Sequence, residues 1–518
     1  MFLEDNLAFQ LGLINKSLLW KLNYMVTLEK IYEIARRRGF FVVSSEIYGG
    51  FSGFYDYGPI GTLIKRNIEN LWREFFLSLN DNFYEIETSL IMPEKVFIAS
   101  GHAKNFVDPV VSCLKCGKEF RADHLIKEIL GISVEGKSAE KLTEIIRKNN
   151  IRCPYCNGEL GEVHFVNMMF PVKVGIKEKT KGYLRPETAQ GSYVNFSRIF
   201  EVTRRKLPLG LAIIGKAFRN EISPRQLLLR QREFTQAELQ IFFDPEKIDE
   251  CEEWENIESK KIKVLLSSES EEKKMTCKSL NSKGIPKFYL HWLLKVQEFF
   301  LEKLKIPEER FRFRELSEEE KAFYNKIHFD CEIFFESLGE FKEVGGIHYR
   351  TDHDLKGHEK YSKKSQKVFY EGRKFIPHVI EISFGIDRIF LALMDVFYVD
   401  DKKRGWVWFK FTPKIAPYLA AVYPLVRKDE IERKAREIYE GLKSCFPCIF
   451  DVSGSIGKRY ARADEIGVPF SITIDYETLE DETVTIRDRN TTKQKRIKIE
   501  EIKNILWKLL NGMNFDEI

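Results

Sequence analysis

The chain has 518 residues, 83 basic and 78 acidic, for a formal charge of +5 at pH 7. At about 150 residues per domain, that length suggests roughly three domains with room for a sizeable core. With 43% hydrophobic and 31% charged residues it is neither disordered nor collagenous, and no apolar run reaches the ~18–20 residues a membrane helix needs.

Five surplus charges do not mark a nucleic-acid partner, so only local patches are informative. The N-terminus does not read as a secretory signal: Glu4 and Asp5 stand where a basic region should be. Of nine cysteines, four form two widely separated Cys-x-x-Cys pairs, Cys113/Cys116 and Cys153/Cys156. In a long chain without a signal, that favours a reducing, cytoplasmic setting and metal over a disulfide framework.

In chain order, residues 1–24 read poorly as part of any domain and are either a mis-assigned start before Met25 or a short extension. Thr27 is a candidate N-cap for an amphipathic helix Leu28–Arg38 that stops at Gly39. Tyr48–Gly61, rich in glycine and aromatics, reads as a loop. Leu63–Leu77 has helical periodicity, and Phe83–Ile91 alternates like a strand that stops at Pro93. Residues 113–156 form an insert with a helical middle. Residues 160–243 are strand-rich, and the charged stretch 244–330 reads as a helical insert on the surface. Phe341–Leu355 and Ile380–Leu393 are apolar again. Beyond Trp406–Pro413, strands and helices alternate as in a compact α/β domain with a largely parallel sheet.

Two segments carry chemistry. Gly215–Glu221 and Arg232–Glu238 read as strand, loop, strand. Alternation puts Arg219 with Glu221 on one face of the first strand and Arg232, Phe234, Gln236 and Glu238 on one face of the second, so one sheet surface presents them all. A surface offering guanidinium, carboxylates, amide and an aromatic ring suits a nucleotide, the ring stacking on a base and the arginine clamping a phosphate; the alternative is a structural ion-pair network. Val379–Arg388 reads as a strand running into a helix, with Glu381 and Ser383 on one face, Gly385 at the junction and Arg388 in the first turn, an arrangement suited to an anion.

These residues resemble the class II aminoacyl-tRNA synthetases. Phe218-Arg-Asn-Glu221 with Arg232-Glu-Phe234 is similar to motif 2 of that class, and Ser383–Arg388 to motif 3. Leu63–Leu77 with the following strand and Pro93 is similar to motif 1, the dimer-forming element. Tyr48–Pro59, Phe120–His124, Leu184–Gly191, Arg219–Arg225 and Arg459–Gly467 resemble the dimeric, archaeal and eukaryotic-like glycyl-tRNA synthetases, over about Leu28 to Arg496. His353 departs from the pattern, standing where an aromatic is common.

The resemblance implies an α+β fold: a class II antiparallel sheet flanked by helices in a catalytic domain over 25–408, with a zinc-binding insert (113–156), a charged helical insert (244–330) and a C-terminal α/β anticodon-binding domain (409–518). It implies a homodimer that uses ATP with Mg²⁺ to activate glycine and then charges tRNA(Gly). Neither step needs a protein nucleophile, so catalysis rests on positioning and charge. The implied catalytic residues are Arg219, Glu221 and Arg388. ATP would also be held by Asn220, Arg230, Arg232, Phe234, Glu343, Val344 and Gly385. Glycine would lie among Glu187, Glu238, Glu381 and Ser383, with Phe234, Gln236 and Gly385 alongside and Arg121 and Arg350 as candidates for its carboxylate. Glycine offers no side chain to grip, so selectivity must come from exclusion.

The two cysteine pairs suit a structural Zn²⁺ site, the alternative being four buried thiols. Cys445 and Cys448 read as buried or partly paired, and His348, His353 and His358 as no metal site. The 409–518 segment has 19 basic and 18 acidic residues. Arg487, Arg489, Lys493, Lys495, Arg496 and Lys498 cluster with few acids among them, a candidate RNA-binding patch. Other readings are an accessory RNA-binding protein that has lost ATP ligands, against which the presence of Arg219, Glu221, Phe234 and Arg388 argues, and a synthetase for another small amino acid.

Overall fold

The computed structural model describes residues 26–132, 134, 136–176, 180–224 and 226–518. The reading of residues 1–24 lies outside them, as does Arg225. Among the described residues, no helix is long and apolar enough to cross a membrane.

The first helix spans Leu28–Arg38, where the Thr27 hydroxyl accepts from Lys30 N–H at 3.3 Å and Gly39 ends it at φ +71°. Helix Pro59–Phe76 starts on proline, pre-set for a first turn, and buries Ile64, Ile68, Leu71, Trp72 and Phe75. A Cβ on Gly61 would lie 1.9 Å from the Phe40 carbonyl oxygen, so only glycine lets this helix seat against the preceding loop. The strand expected over Phe83–Ile91 is two short ones in different sheets, Phe83–Glu85 and Ile91–Pro93.

The core is a nine-stranded sheet of β1 (Phe83–Glu85), β2 (Leu209–Phe218), β3 (Glu233–Phe243), β4 (Lys261–Leu265), β5 (Lys273–Thr276), β6 (Phe311–Glu315), β7 (Ile327–Phe335), β8 (Glu340–Thr351) and β9 (His378–Gly385). Their order is β5-β4-β6-β7-β8-β9-β3-β2-β1, antiparallel except for β1–β2 and β4–β6. The stretch 244–330 is therefore no solvated helical insert. It supplies β4, β5, β6 and the start of β7, and its helix Lys287–Glu298 buries Tyr289, Leu290 and Leu293. Helix Ile386–Val396 follows β9 and packs nearly its whole surface into the same core.

The C-terminal sheet has β10 (Ala420–Pro424), β11 (Cys448–Phe450), β12 (Phe470–Ile474), β13 (Thr483–Asp488) and β14 (Gln494–Lys498), in the order β11-β10-β12-β13-β14. It is mixed rather than largely parallel: β10 pairs in parallel with β11 and β12, and the remaining pairings are antiparallel.

Candidate active site

Cross-strand register builds the floor of the cleft, because residues paired across neighbouring strands share a face. One row runs Asp330–Gly346–Ser383–Glu238 across β7, β8, β9 and β3. The next runs His328–His348–Glu381–Gln240. On the other side, Gln236 lies between Gly385 and Gly215. Except for Gln240 and Gly215, these residues line a cavity of about 360 Å³, which Glu187 and Tyr324 also border.

One end is an interior polar network centred on Arg350, which is fully buried. Its Nε donates to Asp354 at 2.9 Å, Nη1 to Glu381 at 2.9 Å and Nη2 to Glu187 at 3.3 Å. Arg350 thus braces the carboxylates from behind, correcting its expected place at the substrate carboxylate. A bulge between Tyr349 and Thr351 positions it. Gln190 donates to Glu187 at 2.8 Å, and Gln240 to Glu381 at 2.7 Å. Glu238 accepts from Thr188 at 2.6 Å and Ser383 at 2.8 Å.

The electrostatics of this end are uneven. Burial opposes ionisation of Glu187, but Arg350 and His102 overcome it and hold the carboxyl well below the ordinary range. Burial pushes Glu381 up to about 8, Arg350 notwithstanding, with Glu238 and Glu187 adding to the rise. Glu238 is likewise raised, by burial and by Glu187. Gln236 Oε1 is buried without a hydrogen-bond partner.

The other end carries arginines with only part of their donor set engaged. Arg219 Nε donates to the Pro186 carbonyl at 3.1 Å, and its guanidinium lies 5.3 Å from the centre of the Phe234 ring. Arg388 Nε donates to the Leu229 carbonyl at 3.0 Å, and its Nη1 is 2.8 Å from Glu343 Oε1. Arg230 Nε donates to Glu221 at 2.7 Å. Strand β2 ends at Phe218, so Glu221 reaches the cleft from the loop, not by alternation with Arg219.

Besides Arg350, four expected ATP- or substrate-binding residues do not line the cleft. Arg121 is engaged by Asp108 and Asp123. Arg232 donates to the carbonyls of Glu221 and Ser52. Asn220 is exposed, its N–H held by the Met168 carbonyl. Val344 is buried in the core. A bulge explains Val344: Glu332 pairs with Glu343 but Cys331 with Gly345, so Val344 is the extra residue and the faces reverse there, bringing Glu343 into the cleft.

Conversely, Arg314, Glu320, Tyr324, His328 and Asp330 line the cleft from the stretch taken for a surface insert. A signal was there: His328, Asp330 and Glu332 alternate with Phe329, Cys331 and Ile333 at the period of a strand.

Residues 170–397 match the family described as "tRNA synthetase class II core domain (G, H, P, S and T)", and residues 420–509 the "Anticodon binding domain". The chain is 42% identical to "Glycine--tRNA ligase" of Pyrococcus furiosus over 93% of its own length and 99% of that protein's. It is 40% identical to "Glycine--tRNA ligase" of Aeropyrum pernix, covering 95% of this chain and 98% of that one, and 39% identical to that of Methanocaldococcus jannaschii, covering 92% and 98%. The chain belongs to the glycine–tRNA ligase family. It is a class II aminoacyl-tRNA synthetase, with the class II core on the nine-stranded sheet and an anticodon-binding domain after it.

Away from the synthetase cleft, both Cys-x-x-Cys pairs meet. The four sulfurs of Cys113, Cys116, Cys153 and Cys156 lie within 4.8 Å of one another, with Cys113–Cys156 at 3.5 Å and Cys116–Cys153 at 3.7 Å. A disulfide needs about 2.05 Å. A tetrahedron of thiolates about 2.3 Å from a metal has edges near 3.8 Å. N–H groups of Cys116 and Lys115 help bring the Cys113 thiol down to about 6, while burial and the neighbouring cysteines push Cys156 up to about 12. Among the described residues this is the one such His/Cys/Asp/Glu cluster found. Cys445 is exposed and Cys448 buried, and neither forms a disulfide.

In the anticodon-binding domain the expected basic patch is largely consumed internally. Arg487 forms a bidentate pair with Asp464 at 2.9 and 3.0 Å, and Arg489 donates to the carbonyls of Gly467 and Phe411. Lys493 pairs with Asp516, Lys495 donates to two carbonyls near the C-terminus, and Arg496 holds Asp475.

Proposed function

We propose that this synthetase activates glycine with ATP and transfers it to the 3′ end of tRNA(Gly). The observation that carries this reading is the surplus of carboxyl groups at the Arg350 end: Glu187, Asp354 and Glu381 share one guanidinium, and Glu238 accepts from the hydroxyls of Thr188 and Ser383. An ammonium group supplies the missing charge, and Gln236 Oε1 supplies a further acceptor. Its ligands are Glu187, Glu238, Glu381, Ser383 and Gln236.

The carboxylate of glycine then faces the arginine end. There it attacks the α-phosphorus of ATP, forming the mixed anhydride as the bond to pyrophosphate breaks. Arg219 binds the α-phosphate and neutralises charge growing there, while Phe234 stacks on adenine and Glu221 accepts from its amino group. Arg388 turns from Glu343 to the γ-phosphate. Nε of Arg219 and of Arg388 is already held by a carbonyl, so once ATP is bound little further reorganisation accompanies reaction. Glu343, released by Arg388, would hold the Mg²⁺ that accompanies ATP, which would neutralise phosphate charge. The 3′-hydroxyl of the terminal adenosine next attacks the glycyl carbonyl and releases AMP.

Sulfur spacing and an all-thiolate donor set support Zn²⁺ as the metal that Cys113, Cys116, Cys153 and Cys156 would hold, in a structural role, since four thiolates would leave no open position for water. The resemblance of Leu63–Leu77 to motif 1 supports a homodimer, and the thiol cluster supports a cytoplasmic setting. Aminoacylation with labelled glycine tests the main reading: tRNA(Gly) transcripts are charged and tRNA(Ala) transcripts are not, whereas absence of charging contradicts it. Metal analysis tests the zinc site: Cys113→Ser protein loses about one equivalent of zinc, and unchanged content contradicts the assignment.

A further inference from the structure

We propose that His328 and His348 form the wall that keeps side chains out of the amino-acid end of the cleft, which makes them specificity-determining residues. This rests on the reading of that end as a glycine site. The argument starts from Gly346. It stands in the floor between Asp330 and Ser383, one position from the row that holds His348 and Glu381. With no side chain there, the floor has a hollow beside Ser383. Both imidazoles lean into it: a Cβ on Gly346 would come within 2.9 Å of His348 Nε2 and 3.1 Å of His328 Nε2. The rings therefore occupy the space that a substituent on the substrate's α-carbon would otherwise enter.

The wall is also fixed. The two ring centres are 4.0 Å apart. His348 Nδ1 is 3.0 Å from Asn325 Nδ2, and His328 Nε2 is 3.1 Å from Asp330 Oδ1. The side chains are only 11% and 12% exposed, and these contacts hold both rings at the edge of the cleft. His348 Nε2 lies 3.6 Å from Glu381 Oε1, which puts the wall against a carboxylate that receives the ammonium group. Burial, with the charges of His328 and Arg350, holds His348 well below its ordinary range, so the ring beside Glu381 is neutral and does not repel that ammonium. Missing contact with a methylene discriminates only by roughly 10- to 200-fold, whereas a ring that must be displaced sets no such ceiling.

The test is ATP–pyrophosphate exchange with glycine, L-alanine and L-serine on wild-type protein, His348→Ala and the His328→Ala/His348→Ala double variant. The glycine-to-alanine ratio of kcat/KM should fall at least tenfold in the variants, chiefly through faster alanine activation, and His348→Asn should retain most of the ratio. An unchanged ratio, or equal losses for both amino acids, overturns the wall. A measurement on the wild type guards against variants that fail to fold: L-alanine should compete with glycine at least a hundredfold more weakly than glycine's own KM, and competition at comparable concentration also overturns it. No glycine-dependent exchange by the wild type would overturn the glycine reading and this inference with it, whereas glycine exchange without the ratio change overturns the wall alone.

Discussion

Arginines serve opposite ends in the cleft and in the C-terminal domain. In the C-terminal domain Arg459, Arg487 and Arg489 are buried, and their guanidiniums are committed to carbonyls and to Asp464. In the cleft Arg219 and Arg388 are tethered mainly through Nε, which leaves terminal nitrogens for a ligand. Arg350 lies at the cleft but is built like the C-terminal group. The difference teaches that an arginine's role is set by how many of its five donors the fold has already used.

Arg350→Met breaks the comparison most severely. It strands Glu187, Asp354 and Glu381 in the interior, and loss of one partner of a buried ionic group costs about 3–5 kcal/mol. Denaturant unfolding checks this, and a change under 1 kcal/mol would mean that Arg350 is not the hub. Arg219→Ala should leave stability nearly untouched while lowering kcat for exchange by about 10²–10³-fold, the scale for removing one transition-state donor. Retained exchange would remove Arg219 from the reacting centre.

A smaller effect concerns the carboxylates that Arg350 braces. With burial holding Glu381 near 8 in the free protein, this group carries a proton at neutral pH. An ammonium ligand favours its ionised form, so binding glycine releases a proton below about pH 8. The KM for glycine should therefore fall as pH rises from 6 to 8, by at most about tenfold per unit, and level off above. A KM that is flat across this window contradicts the proton release; Glu381→Gln should flatten it.

The smallest effect is expected at the C-terminal cluster. Lys493 and Arg496 are already paired with Asp516 and Asp475. Lys493→Ala/Arg496→Ala should change tRNA affinity less than about twofold and leave its salt dependence as it was. Two lost phosphate contacts would instead lower the slope by about 1.4–1.8.

The motifs were legible because they are local. Phe218–Glu221 and Ser383–Arg388 each carry two or more cleft residues on one strand end or turn, Leu184–Gly191 carries Glu187, and Cys-x-x-Cys spacing is local too. What could not be read depends on distant pairing. Glu343 and Val344 exchange faces at a bulge that exists only opposite Cys331 and Glu332. The partners of Arg487 and Lys493, Asp464 and Asp516, lie 23 residues away in each case, so a run with few acids nearby looked unpaired. The 244–330 stretch reads as a solvated helix because the edge strand β5 and its neighbour β4 carry Lys261, Lys263, Lys273 and Lys274. Lysines guard edges against unwanted pairing, and by composition they resemble a solvated helix.

The central claim is that one cleft pairs a glycine-sized ammonium pocket with phosphate-binding arginines. Amino-acid-dependent ATP–pyrophosphate exchange, run on the purified full chain with each of the twenty amino acids, tests it most directly. The account predicts exchange with glycine and at least a hundredfold less kcat/KM with alanine or serine. Exchange driven by serine or alanine in preference to glycine, or by no amino acid at all, would contradict it.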